Sequence, residues 1–215
     1  MNANARGFGG GKARIRCCVL GLCLLAGGGW AAPLLVAVPR EQPIRRVDPL
    51  PAGAQAGTAS YAGTARPGEF HVFQVALQPD ADCGPLAVRS DLTGLRALSL
   101  GGIGNDGQPF TKSIVVPAGA VQVLWFGLAV PPAARGKLAG SIELRAGDAA
   151  VGRVAVSVSI AGEPLTDHGD AIAANLSRLR WLDSTVGVAR AVTRPFISPT
   201  VRGRTVAVLG REMDL

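Results

Sequence analysis

The chain has 215 residues, 48% apolar and 5% aromatic, with a formal net charge of +7. That length allows one ordinary domain and something more. The charge is partly local: residues 1–31 hold four of the 22 Lys+Arg and none of the 15 Asp+Glu, so the remainder carries 18 minus 15, or +3. The remaining arginines are scattered, without a Lys/Arg stripe interleaved with aromatics, which argues against a nucleic-acid partner.

Residues 1–31 read as a secretory signal peptide. Arg6, Lys12, Arg14 and Arg16 form a positive n-region, and residues 17–27 (CCVLGLCLLAG) form an apolar core. Gly29-Trp30-Ala31 then offers a small-x-small cleavage site, with Ala32 as the alternative. The apolar run is short and broken by glycine, so no stable membrane span is expected after its removal. A lipidated Cys23 is the competing reading, but Leu22 is a poor residue just before it. The expected location is periplasmic or secreted. Three of the four cysteines lie in this segment, leaving Cys83 without an internal disulfide partner or a Cys-type metal site.

Residues 32–56 carry five prolines and little periodicity, and read as an extended lead-in with one edge strand around residues 34–38. From residue 57 the texture changes to short apolar runs separated by Gly, Pro and Asp. FHVFQVALQ (70–78) and VQVLWFGLAV (121–130) are apolar on both sides, the pattern of strands buried on both faces. Between them PLAVRSD, LRALSL and FTKSIVV read as shorter strands, and GGIGNDG (101–107) as a turn. KLAGSIELR and RVAVSVSI alternate with a period of two and are joined by AGDAA, a turn of hairpin length. Residues 57–162 are therefore expected to form an all-β, immunoglobulin-like β-sandwich. Residues 163–187 break the rhythm and read as a linker. Residues 188–215 resume it at Val206 and Val208, as the first strand of a second β-rich domain on a truncated chain.

Asp167-His168-Gly169-Asp170 is the densest polar cluster, and two chemistries compete with a structural turn there. A metal site wants a second histidine at ligand spacing, and His71 sits far off in a strand pattern. A glycosidase acid pair must flank a sugar, whereas these two aspartates share one turn. No Ser-His-Asp order, phosphate loop or zinc-protease helix occurs, so no catalytic, metal-ligating or cofactor-binding residue is assigned. The cluster is expected to be a joint between domains. In SRLRWLD an extended backbone would put Arg178 and Arg180 on one face beside Trp181, with Asp183 following, suited to docking a neighbouring domain. Trp125 is expected to fill the sandwich core, with a sugar-stacking platform as the alternative.

PGEFHVFQVAL, VQVLWFGLAVPPAARGKLAGSIEL and, above all, DHGD followed by SRLRWLDSTVG resemble the N-terminal region of glycoside hydrolase family 123-like secreted bacterial proteins. The resemblance covers roughly residues 60–215, and RLRWLDST is its most specific block. Two positions depart from it: AIAANL follows DHGD in place of a polar, aromatic-containing stretch, and Leu138 stands where tyrosine is common. The resemblance implies a β-sandwich, a second β-region and then a catalytic barrel whose acid pair removes N-acetylgalactosamine. That barrel is absent from this sequence. The implied function is a non-catalytic accessory piece of a carbohydrate-acting protein, with the parent's C-terminal domains as partner and carbohydrate as ligand. A glycan- or envelope-binding module and a non-enzymatic envelope protein are the alternatives.

Mass spectrometry of exported protein is expected to find an N-terminus at or beside Ala32. An intact Met1 or a lipid on Cys23 would refute the signal-peptide reading.

Overall fold

The computed structural model describes residues 31–188 and 191–215, so the expected signal segment lies, up to residue 30, outside the described residues. Apart from two short 3-10 helices, regular structure among them is all β. The first strands are β1 (Leu34–Pro39), β2 (Gln55–Ala56), β3 (Thr58–Ala65), β4 (Phe70–Gln78), β5 (Leu86–Ser90) and β6 (Leu95–Ala97). They are followed by β7 (Gly101–Ile103), β8 (Pro109–Thr111), β9 (Gln122–Ala129), β10 (Gly136–Ala146) and β11 (Ala149–Ile160). The last are β12 (Thr200–Arg202), β13 (Thr205–Val208) and β14 (Arg211–Asp214).

Nine strands form one sheet in the order β5-β10-β11-β3-β2-β1-β4-β9-β6. Its two halves are joined through β2, which is two residues long. Neighbours run antiparallel, except that β11 and β3 run parallel from the Arg153–Thr58 pair to the Ile160–Ala65 pair. Both halves send side chains into one core: Val154, Val156 and Val158 from β11, Phe73, Val75 and Leu77 from β4, Leu124, Phe126 and Leu128 from β9. The sheet is thus curled nearly closed. Each such side chain contributes about 1.5–3 kcal/mol by leaving water, and the alternating faces of β11 (Arg153, Ala155, Ser159) stay exposed. The β10–β11 hairpin has the expected partners, from Gly136–Ile160 to Ala146–Ala149.

The lead-in strand is interior, where an edge strand was expected. β1 pairs with β4 over six residues and also with β2, and Leu35 lies wholly inside the core. Its two prolines, Pro33 and Pro39, fall at its ends, so residues 34–38 keep the N–H groups that an interior strand needs.

β4 is buried on both faces, as its sequence pattern indicates. Its odd positions from Phe73 to Leu77 face the core. On the other face, Ala76 packs with Ile44, Leu50 and Ala54 of the lead-in, and Phe70 and Val72 pack with Leu176 and Leu179 of the segment after β11. Gln74, fully buried on that face, is satisfied by the lead-in: its Oε1 accepts from the Ile44 amide at 3.1 Å, and its Nε2 donates to the Pro39 and Gln42 carbonyls at 3.2 Å each. A buried amide costs stability unless bonded, so this trio fixes where the lead-in lies.

Other elements differ from the sequence reading. FTKSIVV forms a strand only at Pro109–Thr111, paired with β7 in a separate two-stranded ribbon. Residues 163–187 fold back on the sheet, with 3-10 helices at Ala173–Asn175 and Ser177–Asp183. The C-terminal alternation yields three strands, with β12–β13–β14 pairing as a small antiparallel meander.

Trp125 does not fill the core. Alternation along β9 puts Leu124, Phe126 and Leu128 inside and Val123 and Trp125 on the outer face, where the ring is half-buried between two small apolar clusters. Phe126→Ala is expected to lower stability by about 3–5 kcal/mol and Trp125→Ala by only about 1–2 kcal/mol, in line with its smaller buried area. Paired urea melts check this ordering, and equal losses would contradict it.

Candidate functional site

The segment expected to be a joint is built on a period of three. In the 3-10 helix Ser177–Asp183, residues three apart share a face. Leu176, just before it, with Leu179 and Leu182 forms an apolar face that lines a groove over β9. Ser177, Arg180 and Asp183 form a second face turned to the fold: Ser177 is buried, while Arg180 and Asp183 make ion pairs. Arg178 and Trp181 lie on the third, and Trp181 is 57% exposed. The shared face expected for Arg178 and Arg180 required an extended backbone. The helical turn separates them.

Arg180 Nη2 donates to Asp170 Oδ2 at 2.6 Å, and its guanidinium lies 5.3 Å from the Trp181 ring. Arg96 of β6 pairs with Asp183, donates to the Arg180 carbonyl at 3.2 Å, and lies 5.1 Å over the Phe70 ring. Gly127 makes that stack feasible: a Cβ there would overlap the Phe70 ring. The helix is therefore docked on a post made of Gly127, Phe70 and Arg96.

In the Asp167-His168-Gly169-Asp170 turn, Asp167 Oδ1 accepts from the Gly169 amide at 2.9 Å and Oδ2 from the Ala171 amide at 2.8 Å. Those two amides hold the Asp167 carboxyl below the usual aspartate range. His168 and Gly169 both have positive φ, 59° and 90°. The His168 strain is compensated by two contacts to the start of β4: its carbonyl accepts from the Phe70 amide at 3.0 Å, and Nδ1 lies 3.0 Å from the Gly68 carbonyl oxygen. The turn brings Asp170 to Arg180 but faces neither aspartate into the groove over β9.

A second polar cluster escaped the sequence reading. Tyr61 hydroxyl and His71 Nε2 are 2.8 Å apart inside the fold, and His71 Nδ1 lies 3.6 Å from Glu69 Oε1. Glu69, 3% exposed, accepts from Arg40 Nη1 at 2.7 Å and from the Arg66 amide at 2.9 Å. Arg40 also donates to the Asn175 carbonyl and side-chain oxygens at 3.2 and 3.1 Å. Burial pushes the Glu69 carboxyl up, but the neighbouring His71 ring, the Arg66 amide and Arg40 outweigh it and bring it down to about 2. Burial pushes the Tyr61 hydroxyl up to about 12. The available signal was an acid, Glu69, just before a strand that carries His71 and Gln74 among its apolar residues. The cluster ties β4 to both the lead-in and the 3-10 segment.

The groove over β9 has a volume of about 740 Å³. Trp125 and Leu98 floor it, Leu176 and Leu179 wall one side, and Arg46 and Lys112 rim it. Elsewhere, Cys83 is buried, which raises its thiol pKa. Among the described residues no group of three His, Cys, Asp or Glu could hold a metal ion, and no helix is long and apolar enough to cross a membrane.

No protein-family model matches the chain, and no curated protein matches it by sequence. Among solved structures, it is similar to a family 123 glycoside hydrolase from Clostridium perfringens (15% identity, TM-score 0.37), over 52% of this chain and 24% of that one. A Bacteroides ovatus GH5 xyloglucanase matches at 7% identity and TM-score 0.30, over 52% of this chain and 19% of that one. A C. elegans MSP family member matches at 14% identity and TM-score 0.29, over 46% of this chain and 92% of its own. The chain thus spans about a quarter or less of the two glycoside hydrolases.

Because the folded-state pKa of Glu69 is depressed, its contribution is present above the ordinary value of 4.5 and is lost as pH falls toward about 2. Glu69→Gln is expected to flatten the acid limb of the stability curve over that window. Thermal melts from pH 6 to pH 2 test this, and an unchanged acid limb would mean that Glu69 is not held ionised.

Proposed function

We propose that this chain is a non-catalytic accessory β-domain of a secreted carbohydrate-acting protein, immunoglobulin-like in architecture, with residues 163–187 as its joint to the parent's C-terminal domains. The observation that carries this reading is the state of the Asp167-His168-Gly169-Asp170 carboxylates: Asp167 is bonded to two amides, and Asp170 gives Oδ2 to Arg180 while its Oδ1 is buried away from solvent. A general acid or nucleophile must present an accessible oxygen to substrate, and a glycosidase pair must bracket a bond. The RLRWLDST block supports the same reading. Its buried face docks the segment through Arg180 and Asp183, while Trp181 and Leu182 remain exposed as a surface for a neighbouring domain.

A second reading, a glycan-binding module, is favoured by one observation: Trp125 is partly exposed and lines an open groove. The two readings are compatible within one accessory domain.

The purified chain is expected to show no turnover of aryl N-acetylhexosaminides. Arg180→Ala is expected to cost about 1–3 kcal/mol, less than a fully buried pair because both partners are partly exposed. Chromogenic assays and melting curves test both. Turnover that Asp167→Asn abolishes without lowering the melting temperature would overturn the accessory reading.

A further inference from the structure

We infer that the groove over β9 is a binding site for an anionic oligosaccharide, with Trp125 as the stacking floor and Arg46 and Lys112 as the carboxylate-binding rim. This rests on the glycan-binding reading and adds the ligand's charge.

Among the described residues several surface cations lack an acidic partner, Lys137 and Arg178 among them, and two of them, Arg46 and Lys112, meet at this groove. Arg40, Arg45, Arg96, Arg145 and Arg180 each pair with a carboxylate. Arg46 and Lys112 have no acidic partner among the described residues, and residues 1–30 and 189–190 contain no Asp or Glu to supply one. Asp48, the acid nearest Arg46 in sequence, is gripped by Arg45 through its backbone amide and three guanidinium contacts of 2.9–3.1 Å. Lys112 Nζ lies 5.9 Å from the Phe110 ring, which orients the ammonium without neutralising it. No carboxylate lines the groove. Two uncompensated cations over an apolar floor attract an anion more strongly than they would in open water.

The groove beside Trp181 differs in its charge. That surface also has an aromatic ring and two arginines, but Arg96 and Arg180 are matched there by Asp183 and Asp170. Its charge is already satisfied. The Trp125 groove joins a partly exposed ring to two cations that no carboxylate pairs.

The floor of the groove suits a sugar better than a peptide added as a strand. A peptide that adds to a sheet needs free backbone groups. Here the Trp125 amide donates to Ser99 Oγ at 2.9 Å, and its carbonyl accepts from the Leu98 amide at 2.8 Å. What remains available is a flat ring, with the Ser113 and Gln122 side chains beside it. A ring face suits pyranose C–H groups, and hydroxyl and amide groups suit sugar hydroxyls.

Isothermal titration calorimetry on the purified chain at low salt tests this, with a galacturonate hexamer, the neutral cellohexaose and polyglutamate as probes. The galacturonate hexamer is expected to bind, and the other two at least about tenfold more weakly. Trp125→Ala is expected to lose about tenfold in affinity and Trp125→Phe less, with Lys112→Met and Arg46→Met each weakening binding several-fold. Lys137→Met removes the same charge from β10 and is expected to change nothing. Melting curves of each variant confirm folding, and the two rim variants keep the test decisive if Trp125→Ala fails to fold. Equal binding of polyglutamate, or equal loss in Lys137→Met, would reduce the effect to general electrostatics and overturn the proposal. Equal binding of cellohexaose would remove the anionic assignment while leaving the glycan-binding reading intact. Failure of both hexamers to bind would remove both, while leaving the accessory role to the activity test.

Discussion

A strand with no exposed face must be covered on both sides. Every residue of β4 from Phe70 to Leu77 is buried, so the sheet cannot turn its outer side to water at that point. The inner face is covered by the curl of the sheet itself. The outer face is covered by residues 44–54 of the proline-rich lead-in, between β1 and β2, and by the 3-10 helix Ser177–Asp183. Both covers are far from β4 in sequence, and both are placed by polar groups on or beside it. Gln74 holds the lead-in through three hydrogen bonds. Glu69 holds Arg40, which in turn holds Asn175. Apolar burial supplies the driving force there, while the polar groups select one arrangement, since an amide or carboxylate buried without its partner would cost several kcal/mol.

The cations divide by the same logic. Arg40, Arg96 and Arg180 sit where the covers meet the sheet, and each has a carboxylate within reach. Each of those acids is held by its arginine. That is why the densest polar cluster in the sequence reads as a fastening once its contacts are known. Arg46 and Lys112 line the groove with the partly buried Trp125, where no carboxylate meets them.

Much of the β-structure was legible from local chemistry. A period of two follows from the backbone geometry of any strand, so the β10–β11 hairpin and the double burial of β4 could be read from Val, Ile and Leu spacing alone. The turn at Asp167–Asp170 was legible for a similar reason: glycine tolerates positive φ, and an aspartate bonds amides two and four residues on. The 3-10 helix was missed because Leu-x-x-Leu and Arg-x-x-Asp spacing over seven residues is too short a signal for a period of three. Its faces acquire meaning only against the sheet that they touch.

Sequence by itself thus determined that the chain is β-rich, where it turns, and which residues oppose one another along each strand. It established that Trp125 and Phe126 point to opposite sides of β9. Only the tertiary structure decided which of the two faces the core, that the lead-in strand lies inside the sheet, and that Arg40 meets Asn175 and Arg96 meets Asp183, partners 135 and 87 residues apart. Alternation is a property of the backbone at each residue. Inside and outside, and the pairing of distant charges, depend on strand order and on how the sheet closes, which no local window contains.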